Sequence, residues 1–253
     1  MYAPERHRAI VDRVATGGRA SVNDLADLLE VTPETIRRDL TELEKQGLVR
    51  RVHGGAIPVR RLGFQPTVDS RNSVRIEEKG RIAAAALEEV PLEGAIILDS
   101  GTTTGRLVSM LPHDRQLTVV TNSVQHAIAL ANRENVTLLL LGGRVRGRTL
   151  ACVDSWAIQS LKGITADVAF VGADGISVDR GLTTPDRTEA EIKSAMLAAA
   201  RRSVVLADHT KFGDEHFAHF GRVEDVDVVI TDRALDAKVA NEIEEAGPMV
   251  VLA

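Results

Sequence analysis

The sequence predicts an α/β protein in two parts: a small helical domain at the N-terminus closed by a short hairpin, and a larger domain built on a mostly parallel sheet. Three observations carry that reading. From Ala95 onward, short apolar runs alternate with stretches of helical spacing, the pattern of strands buried on both faces by crossover helices. Before them, three helix-start signals follow one another in quick succession. Charge is also divided: the net charge is −5, yet residues 1–62 hold 11 Lys and Arg against 9 Asp and Glu, while the remainder holds 20 against 27. An acidic total conceals a basic N-terminal part.

At 253 residues the chain is long enough for two domains, and 44% hydrophobic residues suffice for a core. No apolar run approaches the ~20 residues of a membrane helix, and charge stands where a signal peptide has its apolar stretch. The chain is expected in the cytoplasm, with no membrane partner. Cys152, the one cysteine, leaves no internal disulfide and no cysteine-based zinc site, and reads as a small packing residue.

In chain order, Ile10, Val11 and Val14 lie at helical spacing between Glu5 and Ala15, and Gly17-Gly18 supplies the stop. Ser21 and Asp24 read as a capping box opening a helix that buries Leu25, Leu28 and Leu29. Thr32 as N-cap and Pro33 at the first position open a third helix, reaching about Gln46, with Ile36, Leu40 and Leu43 as its core stripe. Glu34, Arg38, Thr41 and Lys45 lie opposite that stripe, and Thr35 and Arg37 flank it. Two short helices joined by a tight turn, the second of them basic, make a helix-turn-helix. Residues 48–57 follow with β-branched side chains, Arg50, Arg51 and a Gly54-Gly55 turn: a basic hairpin, the wing of a winged helix.

The run Val31-Thr32-Pro33-Glu34-Thr35-Ile36-Arg37-Arg38-Asp39-Leu40, then Leu43-Glu44, Gly47, Arg51 and His53-Gly54-Gly55-Ala56, resembles the N-terminal signature of the DeoR family of bacterial transcription regulators. The usual form has Ser where this chain has Thr32, which keeps the capping hydroxyl. The resemblance implies a partner, double-stranded operator DNA. By it, Thr32, Thr35, Arg37 and Arg38 map to the groove-facing start of the recognition helix, and Arg51 and His53 to the wing. Arg38 projects away from the core stripe and is expected at a base edge, where bidentate pairing to guanine is the commonest specific contact. Arg37 and Arg51 are expected at phosphates. A plainer role for Arg38 is an i,i+4 ion pair with Glu34 on a solvated face.

Residues 1–57 are thus assigned to the winged helix-turn-helix. Residues 58–72, which mix Pro, Gly and Arg without period, are assigned to a linker, and 73–253 to the second domain. Helical spacing resumes at about Ser73 and carries Ile76, Ile82, Ala83, Ala86 and Leu87 to Val90. Apolar runs at 95–98, 117–120, 136–141, 168–171, 204–206, 226–230 and 249–252 are the expected strands. In such sheets ligands lie beyond the strand C-termini. The residues there are Asp99-Ser100-Gly101-Thr102-Thr103-Thr104-Gly105, Thr121-Asn122, Gly142-Gly143-Arg144, Gly172-Ala173-Asp174-Gly175 and Asp208-His209-Thr210-Lys211. The first of these runs, small hydroxyl residues and glycine between a strand and a helix start, offers clustered N–H groups to a phosphate. Neither a dinucleotide fingerprint nor a P-loop occurs.

These strand ends, together with Gly181, Thr184, Glu189, Lys193 and Lys211-Phe212-Gly213, resemble the DeoR C-terminal sensor domain, which is similar in fold to ribose-5-phosphate isomerase. The resemblance implies that a phosphorylated sugar or polyol binds there and releases the operator, repression being the usual mode. The candidate effector residues are Asp99, Ser100, Gly101, Thr102, Thr103, Thr104, Asn122, Gly143, Asp174, Glu189, Lys193 and Lys211. Residues 100–104 would hold the phosphate and Asp99 a sugar hydroxyl. Plainer readings stand beside these: the threonines as turn and cap residues, and Glu189 with Lys193 as a solvated i,i+4 pair. No cofactor is expected, and His209, His216 and His219 read as loop histidines rather than a metal site. A homo-oligomer, dimer or tetramer, is expected. The rival function is a sugar-phosphate isomerase with an accessory DNA-binding module, in which Asp99, Asp174, Glu189, Lys193 and Lys211 supply acid and base.

Overall fold

The computed structural model describes residues 2–46, 48–52, 54–58 and 65–253. They form two compact units, the first ending at Val74 and the second running from Arg75 to Ala253. No helix among the described residues is long and apolar enough to cross a membrane.

The first unit runs α1 (Ala3–Gly17), β1 (Ala20–Ser21), α2 (Val22–Leu28), α3 (Pro33–Lys45), β2 (Val49–Val52), β3 (Gly55–Pro58) and α4 (Val68–Asn72). Both predicted caps form: Ser21 Oγ accepts from the Asp24 N–H at 3.1 Å, and Thr32 Oγ1 from the Thr35 N–H at 3.2 Å. Ile10, Val14, Leu25, Ile36, Leu40 and Leu43 join one core. Leu28, expected inside, is 59% exposed. The inward stripe is Val22, Leu25, Ala26 and Leu29, a clean helical spacing that leaves position 28 pointing away. The small sheet has the order β1-β3-β2, with β2 and β3 forming the wing. Glycine is obligatory at position 55, since a Cβ there would lie 2.1 Å from the Ala20 carbonyl oxygen on β1.

The stretch 58–72, expected as a linker, contains α4. Thr67 Oγ1 caps it through the Ser70 N–H at 3.3 Å, and Ser70 Oγ meets Thr16 Oγ1 of α1 at 3.1 Å. A helix of 5 residues is too short to show an apolar period and is legible only by its cap.

The second unit opens with α5 (Ile76–Ala86). Its start, expected near Ser73, is delayed by Arg75, whose left-handed backbone (φ 54°, ψ 45°) cannot belong to a helix. The chain continues through β4 (Glu93–Leu98), α6 (Thr102–Met110), β5 (Gln116–Thr121), α7 (Val124–Leu130), β6 (Val136–Leu140), β7 (Arg144–Arg146), β8 (Ala151–Val153) and α8 (Asp154–Leu161). Then come β9 (Ala166–Gly172), β10 (Gly175–Ser177), β11 (Gly181–Thr184), α9 (Arg187–Ala198), β12 (Ala200–Leu206), β13 (Ala218–Gly221), β14 (Val228–Thr231), α10 (Ala237–Glu245) and β15 (Met249–Leu252).

All seven predicted strands pair in parallel in one sheet of order β15-β14-β12-β9-β4-β5-β6. Period-two alternation sends Ile97, Ala169 and Val205 into one core, and Ile96, Leu98, Phe170 and Val204 into the other. The short pair β7 and β8, and the group β10-β11-β13, are antiparallel additions that the apolar runs did not announce. One consequence of the strand order matters for function. The chain leaves β4 toward β5 and β6 on one side, and returns as β9 on the other, so the strand order reverses between β4 and β9. Such a switch point opens a crevice at the strand C-termini.

Candidate functional site

On the first unit, Thr32 and Thr35 sit at the N-terminus of α3 with their hydroxyls 2.9 Å apart. Arg37 and Arg38 are both exposed. Glu34 pairs with Arg37, at 3.0 Å, and not with Arg38 as the i,i+4 reading had it. Arg38 bonds no other described residue and points to solvent. Arg51 on the wing is strapped to α3: its Nη1 donates to Thr41 Oγ1 at 2.9 Å and its N–H to Glu44 Oε1 at 2.8 Å. His53 lies outside the described residues. Behind this surface is an ion cluster that the sequence reading missed. Asp39 accepts from Arg6 Nε at 2.6 Å and Nη2 at 3.1 Å, and lies 2.9 Å from His7 Nε2. Burial alone would raise the Asp39 carboxyl; the Arg6 and His7 hydrogen bonds outweigh it and hold the group below its ordinary range.

In the second unit the crevice between β4 and β9 is bridged by charge. Asp99, just past β4, accepts through Oδ2 from the Gly172 N–H at 3.1 Å and forms an ion pair with Lys193 of α9. Lys193 Nζ also donates to the Gly172 carbonyl at 2.8 Å. Asp99, Lys193 and Glu189 are 1%, 5% and 3% exposed, so the solvated i,i+4 reading of Glu189 and Lys193 fails. The two residues lie on one helix face but bond different partners. Asp99 Oδ1 is buried and has no partner among the described residues. Burial pushes the Asp99 carboxyl upward even against the opposing effects of Lys193 and the Gly172 N–H.

The loop after Asp99 is tightly braced. The Ser100 N–H is taken by Asn122 Oδ1 at 2.8 Å, and Thr104 Oγ1 lies 2.7 Å from the Asp99 carbonyl and 3.0 Å from that of Gly101. His126 of α7 approaches the Gly101 carbonyl through Nε2 at 3.3 Å. Burial holds His126 down at about 4, although the Gly101 carbonyl favours its proton, and its Nδ1 is buried without a partner among the described residues. Asn122, Thr104 and His126 therefore shape the loop. The first-turn N–H groups of α6 have no partner within the helix, and the hydroxyls of Thr102 and Thr103 bond no other described residue.

Around this centre, Glu189 accepts from Arg146 Nη1 at 2.6 Å and from the Thr149 hydroxyl, while Arg146 Nη2 also reaches Asp186 at 3.1 Å. These contacts fasten the segment between β7 and β8 to α9. Asp174 accepts from Thr184 Oγ1 at 2.8 Å. Lys211 lies in a short turn past β12, beside Asp208. Burial would raise Asp208, but the charges of Lys211, Arg75 and Lys79 and the Thr210 hydroxyl bring it below its usual range. Gly143, a candidate ligand contact, has a backbone reason to be glycine: φ is 116° and a Cβ would lie 2.4 Å from the Val153 carbonyl oxygen. Cys152 is buried, and burial pushes its thiol up, in keeping with a packing role. Of the three histidines, His209 pairs with Asp232 at 2.9 Å and His216 meets the Asp174 carbonyl at 3.2 Å. No group of three or more metal-ligating side chains is arranged to hold an ion among the described residues.

Sequence reasoning missed Arg146, Thr149, Arg75 and Lys79. Arg146 follows the collected Gly142-Gly143-Arg144 by only two positions. Buried Lys79 interrupts the apolar face of α5, a signal that a wheel of that helix would have exposed.

Known proteins align with this arrangement along its length. The pattern of the DeoR-like helix-turn-helix domain matches residues 6–61, and that of the DeoR C terminal sensor domain matches residues 74–233. The HTH-type transcriptional regulator GlpR of Haloferax volcanii is 40% identical, covering 99% of this chain and 98% of that one. The glycerol-3-phosphate regulon repressor of Escherichia coli K12 is 32% identical, covering 92% of each. Ribose 5-phosphate isomerase A of Methanocaldococcus jannaschii superposes over 53% of each chain with 18% identity and a TM-score of 0.39, a likeness too distant to carry an assignment. With a winged helix-turn-helix and a seven-stranded sensor sheet matched in order, the chain belongs to the DeoR family of transcriptional regulators.

Proposed function

We propose that the second unit senses a phosphorylated polyol or sugar, and that its occupancy releases the first unit from operator DNA, so that the chain represses genes of carbohydrate metabolism. The observation that carries this is the pairing of two features just past the end of β4. Asp99 Oδ1, buried without a partner among the described residues, calls for a hydrogen-bond donor such as a ligand hydroxyl. The first turn of α6, with the Thr102 and Thr103 hydroxyls, offers donors to an anion, and Lys211 past β12 adds a positive charge. A small molecule bearing a phosphate and several hydroxyls answers both. The similarity to a glycerol-3-phosphate regulon repressor supports this chemistry.

In this reading Asp99 holds a hydroxyl, and Gly101, Thr102, Thr103 and Lys211 hold the phosphate. Lys193 and Glu189 hold the charged framework, Ser100, Thr104 and Asn122 shape the loop, and Asp174 and Gly143 form its walls. On the DNA, Arg38 reads a base edge and Arg37 and Arg51 hold phosphates, with Thr32 and Thr35 at the helix start. Two copies reading half-sites about one helical turn, ~34 Å, apart make the geometry that the effector disturbs.

The test is thermal-shift screening against glycerol 3-phosphate, ribose 5-phosphate and fructose 6-phosphate, with glycerol, ribose and fructose as controls, followed by operator release with each hit. Thr103→Val and Lys211→Ala are expected to bind operator normally and to stop responding. Stabilisation by an unphosphorylated control alone overturns the phosphate assignment, and proton exchange next to a ligand carbonyl, seen by NMR, restores the isomerase.

A further inference from the structure

The junction between the units carries a charged residue in an unusual backbone state. Arg75 is the first residue of the second unit and directly follows Val74, the last of the first. Its φ of 54° and ψ of 45° lie in the left-handed region that side chains other than Asn and Asp rarely adopt. Although it is the N-cap of α5, its side chain makes no capping bond. The guanidinium instead reaches the end of β12, where Nε lies 3.6 Å from Asp208 Oδ1. Asp208 is almost fully buried, and Lys211 and Lys79 act on it as well. Three cations thus converge on one carboxylate at a strand end that adjoins the sensor crevice, and one of them belongs to the residue where the chain passes from one unit to the other.

We propose that Arg75 is the coupling residue of this regulator: a phosphate arriving beside Lys211 competes with Asp208 for the Arg75 guanidinium, and the left-handed backbone held by that contact relaxes, redirecting the chain at Val74. The proposal rests on the effector reading above. An effector shifts a conformational equilibrium only through contacts that differ between the two states. The Arg75–Asp208 contact is such a difference, since a dianion next to Asp208 repels that carboxylate and attracts the cations around it. Arg75 acts through the backbone and is a positioning residue, separate from the groups that hold the ligand.

Linkage supplies a readout that a mere ligand contact would not move. Ligand and DNA must weaken each other by the same factor. Affinity for glycerol 3-phosphate, or for ribose 5-phosphate if that is the binder, is measured by calorimetry with and without an operator duplex selected from a random pool. The ratio of the two affinities in the wild type is expected to be about tenfold or more. Arg75→Asn, which tolerates the left-handed backbone without the charge, is expected to bring the ratio close to one while operator affinity without ligand is unchanged. Arg75→Gly, free of backbone strain, is expected to bring the ratio close to one as well, with weaker operator binding in the absence of ligand, and covers the case in which the Asn variant does not fold. Arg75→Lys is expected to restore part of the ratio. A wild-type ratio in the Asn or Gly variant overturns the proposal, as does a Lys variant no closer to wild type than Asn. An equal loss of ligand affinity in the presence and absence of DNA also overturns it, by making Arg75 an ordinary ligand contact. If wild type binds neither phosphate, the effector reading falls and this proposal with it; if wild type binds and couples while the variants couple equally, only this proposal falls.

Discussion

On α3, Arg37 and Arg38 stand in solvent while Asp39, the next residue, is buried against Arg6 and His7; at the strand ends of the second unit, Asp99, Lys193 and Glu189 are all buried together. The contrast follows from the size of the partner. A surface that meets a polyanion gains from releasing condensed counterions, so its cations can stay exposed, and only their supporting framework is held by buried charge. A crevice for a small ligand gains from charges already fixed in a medium of low dielectric, where each contact is stronger and geometry selects the ligand. Removing a charge should therefore unfold one region and merely weaken binding at the other.

The largest test of that comparison is Lys193→Met. It strands the Asp99 carboxylate in the interior and is expected to destabilise the second unit by about 3–5 kcal/mol, read by urea denaturation with amide exchange to separate the units. Adding Asp99→Asn should recover most of the loss. A cost below about 1 kcal/mol, the range of solvent-exposed pairs, would break the contrast.

Next is the pH response of His126. In the folded chain it stays neutral down to about pH 4, whereas the unfolded imidazole charges below about 6.5. Between those values the unfolded chain binds more protons, so stability falls as pH falls. From pH 7.5 to 5 the loss from this residue is about 2 kcal/mol. His126→Gln should remove that part of the slope, and an unchanged slope would mean that His126 is not buried neutral beneath Gly101.

The smallest effects on folding lie on α3. Arg38→Ala should leave stability unmoved and cost roughly 1.5 kcal/mol of operator binding, with relaxed preference at one base pair. Arg37→Ala should lose only a few tenths of a kcal/mol of stability, because its pair with Glu34 is exposed. It should weaken operator and random DNA alike and lower the salt slope by about one. Equal losses on both DNAs for both variants would erase the division of roles.

Much of this was legible because local rules acted alone. Thr32 and Ser21 cap helices wherever a helix must start, and Ile36, Leu40 and Leu43 share one side of a helix whatever they pack against. The seven parallel strands were equally plain, since strands buried on both faces must be apolar throughout. Short elements escaped: α4, β7 and β8, and β10, β11 and β13 are too brief for any period to show. Within the candidate site, Asp99 was named from its position past a strand and Lys193 from the family resemblance, but their ion pair spans residues far apart in sequence, and the structural tasks of Asn122, Thr104 and Gly143 depend on neighbours that no spacing reveals.

By itself, the sequence determined two units, their longer elements, the exposed basic face of α3 and which residues stand at the ends of the parallel strands, because periodicity, capping and charge distribution act within a few residues. Only the tertiary structure decided which charges are buried and with whom: Asp39 with Arg6 and His7, Asp99 with Lys193, Glu189 with Arg146 and Arg75 with Asp208. The physical reason is that the cost of a buried charge depends on the full set of groups around it, and strand order, including the reversal between β4 and β9, assembles that set from distant parts of the chain.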